Sequence, residues 1–150
     1  MERRIDINSI NQQDKETQIQ SVIEIFKPNF EKLTDENGVK CLPVDIVDWQ
    51  TEKLLMQGYM NLEAFIETIL TGNTTVTFWS RSRAELWPKG LTSGSFLIVK
   101  AITTDCDQDT FKIYAQPTGP VCHTGSETCY DNSPVLYFDP NYQIPDRRIR

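Results

Sequence analysis

The sequence predicts an α+β to mainly-β fold, with an antiparallel β core and one clear amphipathic helix over residues 62–71. Three observations carry this. Runs rich in β-branched and aromatic residues occur at Thr74–Ser80, Ser95–Asp105 and Phe111–Pro117, and each reads as a strand. Asn61 is a good N-cap before an apolar face of Leu62, Phe65, Ile66, Ile69 and Leu70, with Gly72 as a stop. At 150 residues the chain is long enough for one domain with a real core.

Further elements follow along the chain. Residues 1–18 are polar and read as loosely attached. From Gln18 to Leu33, apolar residues recur at Ile19, Val22, Ile23, Phe26 and Phe30, the spacing of a helix that Pro28 ends or kinks. Asp35–Gly38 (DENG) is a turn signal. Val39–Trp49 reads as extended, and Pro43 argues for an edge or irregular strand. The chain thus divides into a helix-bearing N-terminal extension (1–34), a main domain (35–131) and a tail (132–150) with Pro134, Pro140 and Pro145 and a basic end.

Composition narrows the function classes. The hydrophobic fraction is 39% and the charged fraction 24%, ordinary for a water-soluble domain. The net charge of −6 argues against a nucleic-acid coat protein, although a local basic pocket for a small anion is compatible with it. The N-terminus has no secretory h-region and no stretch is apolar enough for a membrane helix. A cytoplasmic location is therefore expected, where thiols stay reduced and spaced cysteines read as metal ligands or nucleophiles. An extracellular Cys122–Cys129 disulfide is the alternative.

Cys106, Cys122 and Cys129 form C-x15-C-x6-C, and Cys106 lies inside Asp105–Asp109 (DCDQD). Thiolates suit zinc, and three protein ligands leave a fourth position for water, the pattern of catalytic zinc. Three buried, inert cysteines are the plainer reading. Asp105, Asp107 and Asp109 suit a hard cation such as magnesium, against a solvated acidic turn as the plainer reading. An extended string would point the three carboxylates to one side and Cys106 to the other. An EF-hand is excluded, because Thr110 stands where its glycine belongs and Gln116 where its closing Glu belongs. The zinc deaminase strings H-x-E and P-C-x-x-C are absent as well. Cys41 reads as a bystander.

His123, the single histidine, follows Cys122 directly; zinc ligand, acid/base group and structural histidine are all open to it, and the acid/base role is favoured. Ser80–Ser95 (SRSRAELWPKGLTSGS) gathers the cations Arg81, Arg83 and Lys89, the hydroxyls of Thr92 and Ser93, and Gly90 and Gly94. That is the material of an anionic phosphate site, though not of a P-loop, or equally of a basic surface loop.

GYMN (58–61), FWSRSR (78–83), LWPKG (86–90), TSG (92–94), DCDQD (105–109) and GPVCHTGSETCY (119–130) together resemble phosphoribosyl-AMP cyclohydrolase, an enzyme family of histidine biosynthesis. The resemblance covers roughly residues 35–131. It implies a hydrolase that opens the adenine ring of N1-phosphoribosyl-AMP at the N1–C6 bond. It implies zinc at Cys106, Cys122 and Cys129, magnesium at Asp105, Asp107 and Asp109, and an intertwined homodimer with active sites at its interface. His123 would be catalytic, and the substrate would lie on Arg81, Arg83, Trp87, Lys89, Thr92, Ser93 and Gly94. No nucleic acid or membrane partner is implied. Two positions depart from the family pattern: Leu91 stands where Glu is usual, and Ser95 where Asn or His is usual. They keep two other readings open, a zinc-binding module of the same fold that has lost turnover and a hydrolase of another N1-substituted purine nucleotide.

Overall fold

A computed structural model describes residues 4–7, 14–131 and 133–145. The expectations for the first few residues lie partly, and the basic end at 147–150 wholly, outside the described residues. The elements are α1 (Lys15–Phe26), β1 (Leu42–Asp48), β2 (Leu54–Met60), α2 (Leu62–Thr71), β3 (Thr77–Ser80), β4 (Glu85–Pro88), β5 (Leu97–Thr104) and β6 (Phe111–Pro117). They form a four-stranded sheet in the order β2-β1-β6-β5 and a β3–β4 ribbon. The class is α+β.

The main sheet is mixed, not antiparallel throughout. β1 pairs antiparallel with β2, and β6 antiparallel with β5, but β1 and β6 run parallel. A parallel pair needs a long crossover, and everything from β2 to β5 is that crossover. No local pattern in either strand reveals it. β1 is also central and not an edge. Pro43 is tolerated because it sits at the strand's start, opposite Tyr59 of β2, one residue before the pairing with β6 begins at Val44.

α1 begins earlier than its apolar spacing suggests and stops at Phe26. The Asp14 side chain accepts the Thr17 N–H and caps the start. Lys27 takes the left-handed conformation (φ 48°), and Pro28 follows where the helix cannot continue. Phe30 leaves the helix and packs against the core from the connection. α2 matches expectation at its start, where the Asn61 side chain accepts the Ala64 N–H. Its buried face is Ala64, Phe65, Thr68 and Ile69, whereas Leu62 is exposed. Gly72 ends α2 in a right-handed conformation; its want of a side chain lets the turn lie against Val99.

The core joins the sheet, both helices and the ribbon. Val44, Ile46, Leu55, Met60, Phe111 and Ile113 are buried. Phe65 of α2 meets Phe111 of β6 at 4.7 Å between ring centroids, and Phe26 of α1 adds a third ring 6.0 Å from Phe65. Phe78 of β3 lies so close to Gly58 of β2 that a Cβ there would come within 2.6 Å of its ring. β2 and β4 carry too little alternation to be read as strands, and pairing with β1 and β3 forms them.

Candidate active site

Asp105–Thr110 is a tight turn that closes the β5–β6 hairpin, which corrects the extended geometry expected of it. The Asp105 N–H donates to the Thr110 carbonyl (3.1 Å), and Gln108 is left-handed (φ 60°). Asp105 Oδ1 accepts the backbone N–H groups of Asp109 and Thr110 at 3.0 and 3.3 Å. The turn, not strand alternation, gathers the carboxylates: Asp105, Asp107 and Asp109 each offer an oxygen within 4.8 Å of the others. Desolvation pushes the Asp105 carboxyl up, aided by its two neighbours. Lys32 holds Asp107 down at about 2. Three convergent carboxylates fit a hard divalent cation.

Val121–Cys129 builds a second site. The Cys122 N–H donates to the Ser126 carbonyl (3.1 Å), and Gly125 turns the chain with φ 90°. The Cys129 N–H donates to the Leu55 carbonyl of β2 (2.9 Å), so the loop is pinned to the sheet. Cys122 and Cys129 stand on this one loop, and each thiol bears on the other's pKa. The Thr124 hydroxyl donates to Cys122 Sγ (3.1 Å) and is the first cause of that thiol's lowered pKa. Cys129 is pushed up, first by desolvation, although its side chain reaches solvent, and then by Cys122. His123 stands exposed on this turn. Two thiols on one loop, one biased to thiolate, fit a soft metal. Cys106 does not complete a set of three with them. Among the described residues only the three aspartates form a cluster of metal-ligand type. Cys41 is buried, and burial raises its thiol, so it belongs to the core.

The residues of Ser80–Ser95 divide between places. Arg81, Arg83 and Trp87 line a cleft of about 500 Å³ with Glu36 and Tyr59. The Arg81 guanidinium lies 4.4 Å from the Tyr59 ring centroid and pairs with Glu36 at 3.2 Å. Its Nε is buried without a partner among the described residues. Arg83 reaches toward the Trp87 ring at 5.8 Å. Lys89 is elsewhere. It is buried, and desolvation lowers its pKa against the opposing influence of Cys129 and Cys122. Thr92, Ser93 and Gly94 form an exposed turn in which the Gly94 N–H donates to the Gly90 carbonyl (2.8 Å), outside the arginine cleft. Gly90 is required there: φ is 95°, and a Cβ would meet the Ser95 carbonyl oxygen at 2.6 Å. Leu91 projects into solvent at 70% exposure, and Ser95 Oγ lies close to Gly119.

The Asp35–Gly38 turn is the support that motif reading missed. The buried Asp35 carboxylate accepts the Asn37 and Val39 N–H groups at 2.8 and 2.9 Å and the Trp79 indole N–H at 2.8 Å. Asn37 Nδ2 donates to the Arg81 carbonyl (2.8 Å). The turn thereby fixes the strand end that carries both arginines.

Residues 56–131 match the family model described as phosphoribosyl-AMP cyclohydrolase, and this span holds the acidic turn, the thiol pair and the arginines of the cleft. The chain belongs to the phosphoribosyl-AMP cyclohydrolase family. A protein of that name from Lactiplantibacillus plantarum is 45% identical over 107 residues, 71% of this chain and 93% of the relative. Another from Streptococcus mutans is 50% identical over 91 residues, 61% of this chain and 82% of the relative. The histidine biosynthesis bifunctional protein HisIE of Bacteroides thetaiotaomicron is 45% identical over 123 residues, 80% of this chain and 57% of the relative. This chain thus spans about half the length of the bifunctional relatives and most of the single-function ones. No described helix is long and apolar enough to cross a membrane.

Proposed function

We propose that this chain hydrolyses N1-phosphoribosyl-AMP, opening its adenine ring at the N1–C6 bond to the formimino carboxamide ribotide in histidine biosynthesis. The observation that carries this is the family match over 56–131, with relatives named for the activity at 45–50% identity. The geometry agrees in chemical kind: a thiol pair, a carboxylate turn and an arginine cleft stand on one small domain.

Zinc at Cys106, Cys122 and Cys129 would supply Lewis acidity and an activated water, and magnesium at Asp105, Asp107 and Asp109 would neutralise phosphate charge. Within one chain Cys106 stands on the acidic turn, and among the described residues no metal-type cluster joins it to Cys122 and Cys129. That supports a homodimer, in which Cys106 of one chain meets Cys122 and Cys129 of the other. Lys89 bears on both thiols and offsets the charge that accumulates there. Arg81 and Arg83 hold a phosphate, with Tyr59 and Trp87 as apolar walls. Ring opening takes a proton from the water that adds at C6 and gives one to N1 as the N1–C6 bond breaks. We assign that transfer to His123, exposed beside Cys122. The cytosol, where thiols stay reduced, is the compartment that suits this centre.

The test is a steady-state assay of the purified chain on phosphoribosyl-AMP, with metal content measured alongside. We expect ring opening with about one zinc per chain, zinc loss in the Cys106→Ser, Cys122→Ser and Cys129→Ser triple variant, and zinc retention in Cys41→Ser. Zinc retained in the triple variant contradicts the ligand assignment.

A further inference from the structure

The connection between α1 and β1 places a lysine on the acidic turn. Lys32 Nζ lies 2.5 Å from Asp107 Oδ2 and 3.0 Å from Asp109 Oδ2. The backbone brings it there independently of the ion pair. The Asn29 N–H donates to the Gln108 carbonyl at 2.7 Å, which ties the connection to the tip of the turn. Phe30 packs against the core between those two contacts, and Glu31 pairs with Lys40 on the next stretch of chain.

The oxygens involved decide what this does. Asp105 Oδ1 is already taken by the Asp109 and Thr110 N–H groups. The Lys32 ammonium occupies Oδ2 of both Asp107 and Asp109. A divalent cation drawing on these carboxylates competes with the ammonium for them, and it is repelled by a positive charge a few ångströms away. Loss of the lysine could instead loosen the turn and weaken cation binding. The turn's own bonds, from Asp105 N–H to the Thr110 carbonyl and from Gln108 N–H to the Asp105 carbonyl, do not involve Lys32. Charge competition therefore outweighs loss of support.

We propose that Lys32 is a built-in cation of the acidic turn, which holds the place of a divalent ion and must leave Asp107 and Asp109 before one binds. It makes Lys32 a residue that sets metal affinity and gives the connection before β1 a task. The inference rests on reading the turn as a divalent-cation site.

The experiment is a titration of the full chain, as purified, with Mn²⁺, followed by the electron paramagnetic resonance signal of the free ion. Wild type, Lys32→Gln, Lys32→Arg and Asp107→Asn are compared. Lys32→Gln is expected to bind Mn²⁺ roughly three- to tenfold more tightly, the scale of two exposed ion pairs removed. Lys32→Arg keeps the charge and is expected to stay near wild type. Equal or weaker binding by Lys32→Gln, with binding still lost in Asp107→Asn, overturns the role of Lys32 and leaves the metal site standing. Binding unchanged in Asp107→Asn, or absent from every protein, overturns the metal site and the inference together, while ring opening remains a separate readout.

Discussion

Asp35 is a buried carboxylate that accepts two backbone N–H donors and the Trp79 indole. The indole, first among these, holds it near pKa 2, below its ordinary 3.8. A depressed folded-state pKa stabilises the fold above the ordinary value and loses that contribution as pH falls through the folded one. Asp35→Asn is therefore expected to lower the urea midpoint at pH 7, with the gap to wild type closing between pH 4 and pH 2. A gap that does not change with pH contradicts the ionised, bond-accepting role. The residues proposed to act on the substrate make a contrasting pair. Loss of His123 should slow turnover by roughly 10²–10⁴-fold, seen in kcat, because a proton-transfer group acts in the transition state. Arg81→Ala should raise KM with kcat little changed, because a phosphate anchor binds ground and transition states alike. Steady-state kinetics on both variants separate the roles, and the two patterns exchanged would reverse the assignments.

Among the elements, α2 was the most legible. Its cap and period lie within ten residues, so local chemistry decides it. Phe65→Ala should destabilise by about 3–5 kcal/mol, because it removes the central ring of the aromatic cluster. Leu62→Ala should fall within about 0.5 kcal/mol, because that side chain is exposed. Urea unfolding measures both, and equal losses would mean that the helix buries a different face. The strands were less legible where pairing is remote. β6 showed in its own β-branched and aromatic residues, whereas β2 and β4 needed partners, and the parallel β1–β6 pair rests on a long crossover that leaves no local mark. Site residues divide in the same way. Asp105, Asp107 and Asp109 could be read as a cluster because one turn contains them all. Lys89 could not be separated from Arg81 and Arg83, since adjacency in sequence hides that β4 carries its end away from the cleft. Asp35 and Glu36 support the cleft from a stretch whose composition signals only a turn, and Lys32 reaches the acidic turn from one whose apolar spacing signals only a helix.

Taken as a whole molecule, a single chain gathers three carboxylates on one turn, with Cys106 among them, and carries Cys122 and Cys129 on a separate loop. If the homodimer supplies the missing thiol, two inactive variants should complement each other. Mixing Cys106→Ser chains with Cys122→Ser chains, with subunit exchange, should restore activity, because each mixed dimer regains one site with all three cysteines. No recovery, with mixed dimers shown by mass, would mean that each zinc centre draws on one chain. The claim on which the rest depends is the reaction itself. The direct measurement is ring opening of phosphoribosyl-AMP by the purified chain, before chelation, after it, and after zinc is restored. Turnover is expected to disappear with zinc removal and to return with zinc. A zinc-loaded, folded chain that leaves phosphoribosyl-AMP intact would contradict it.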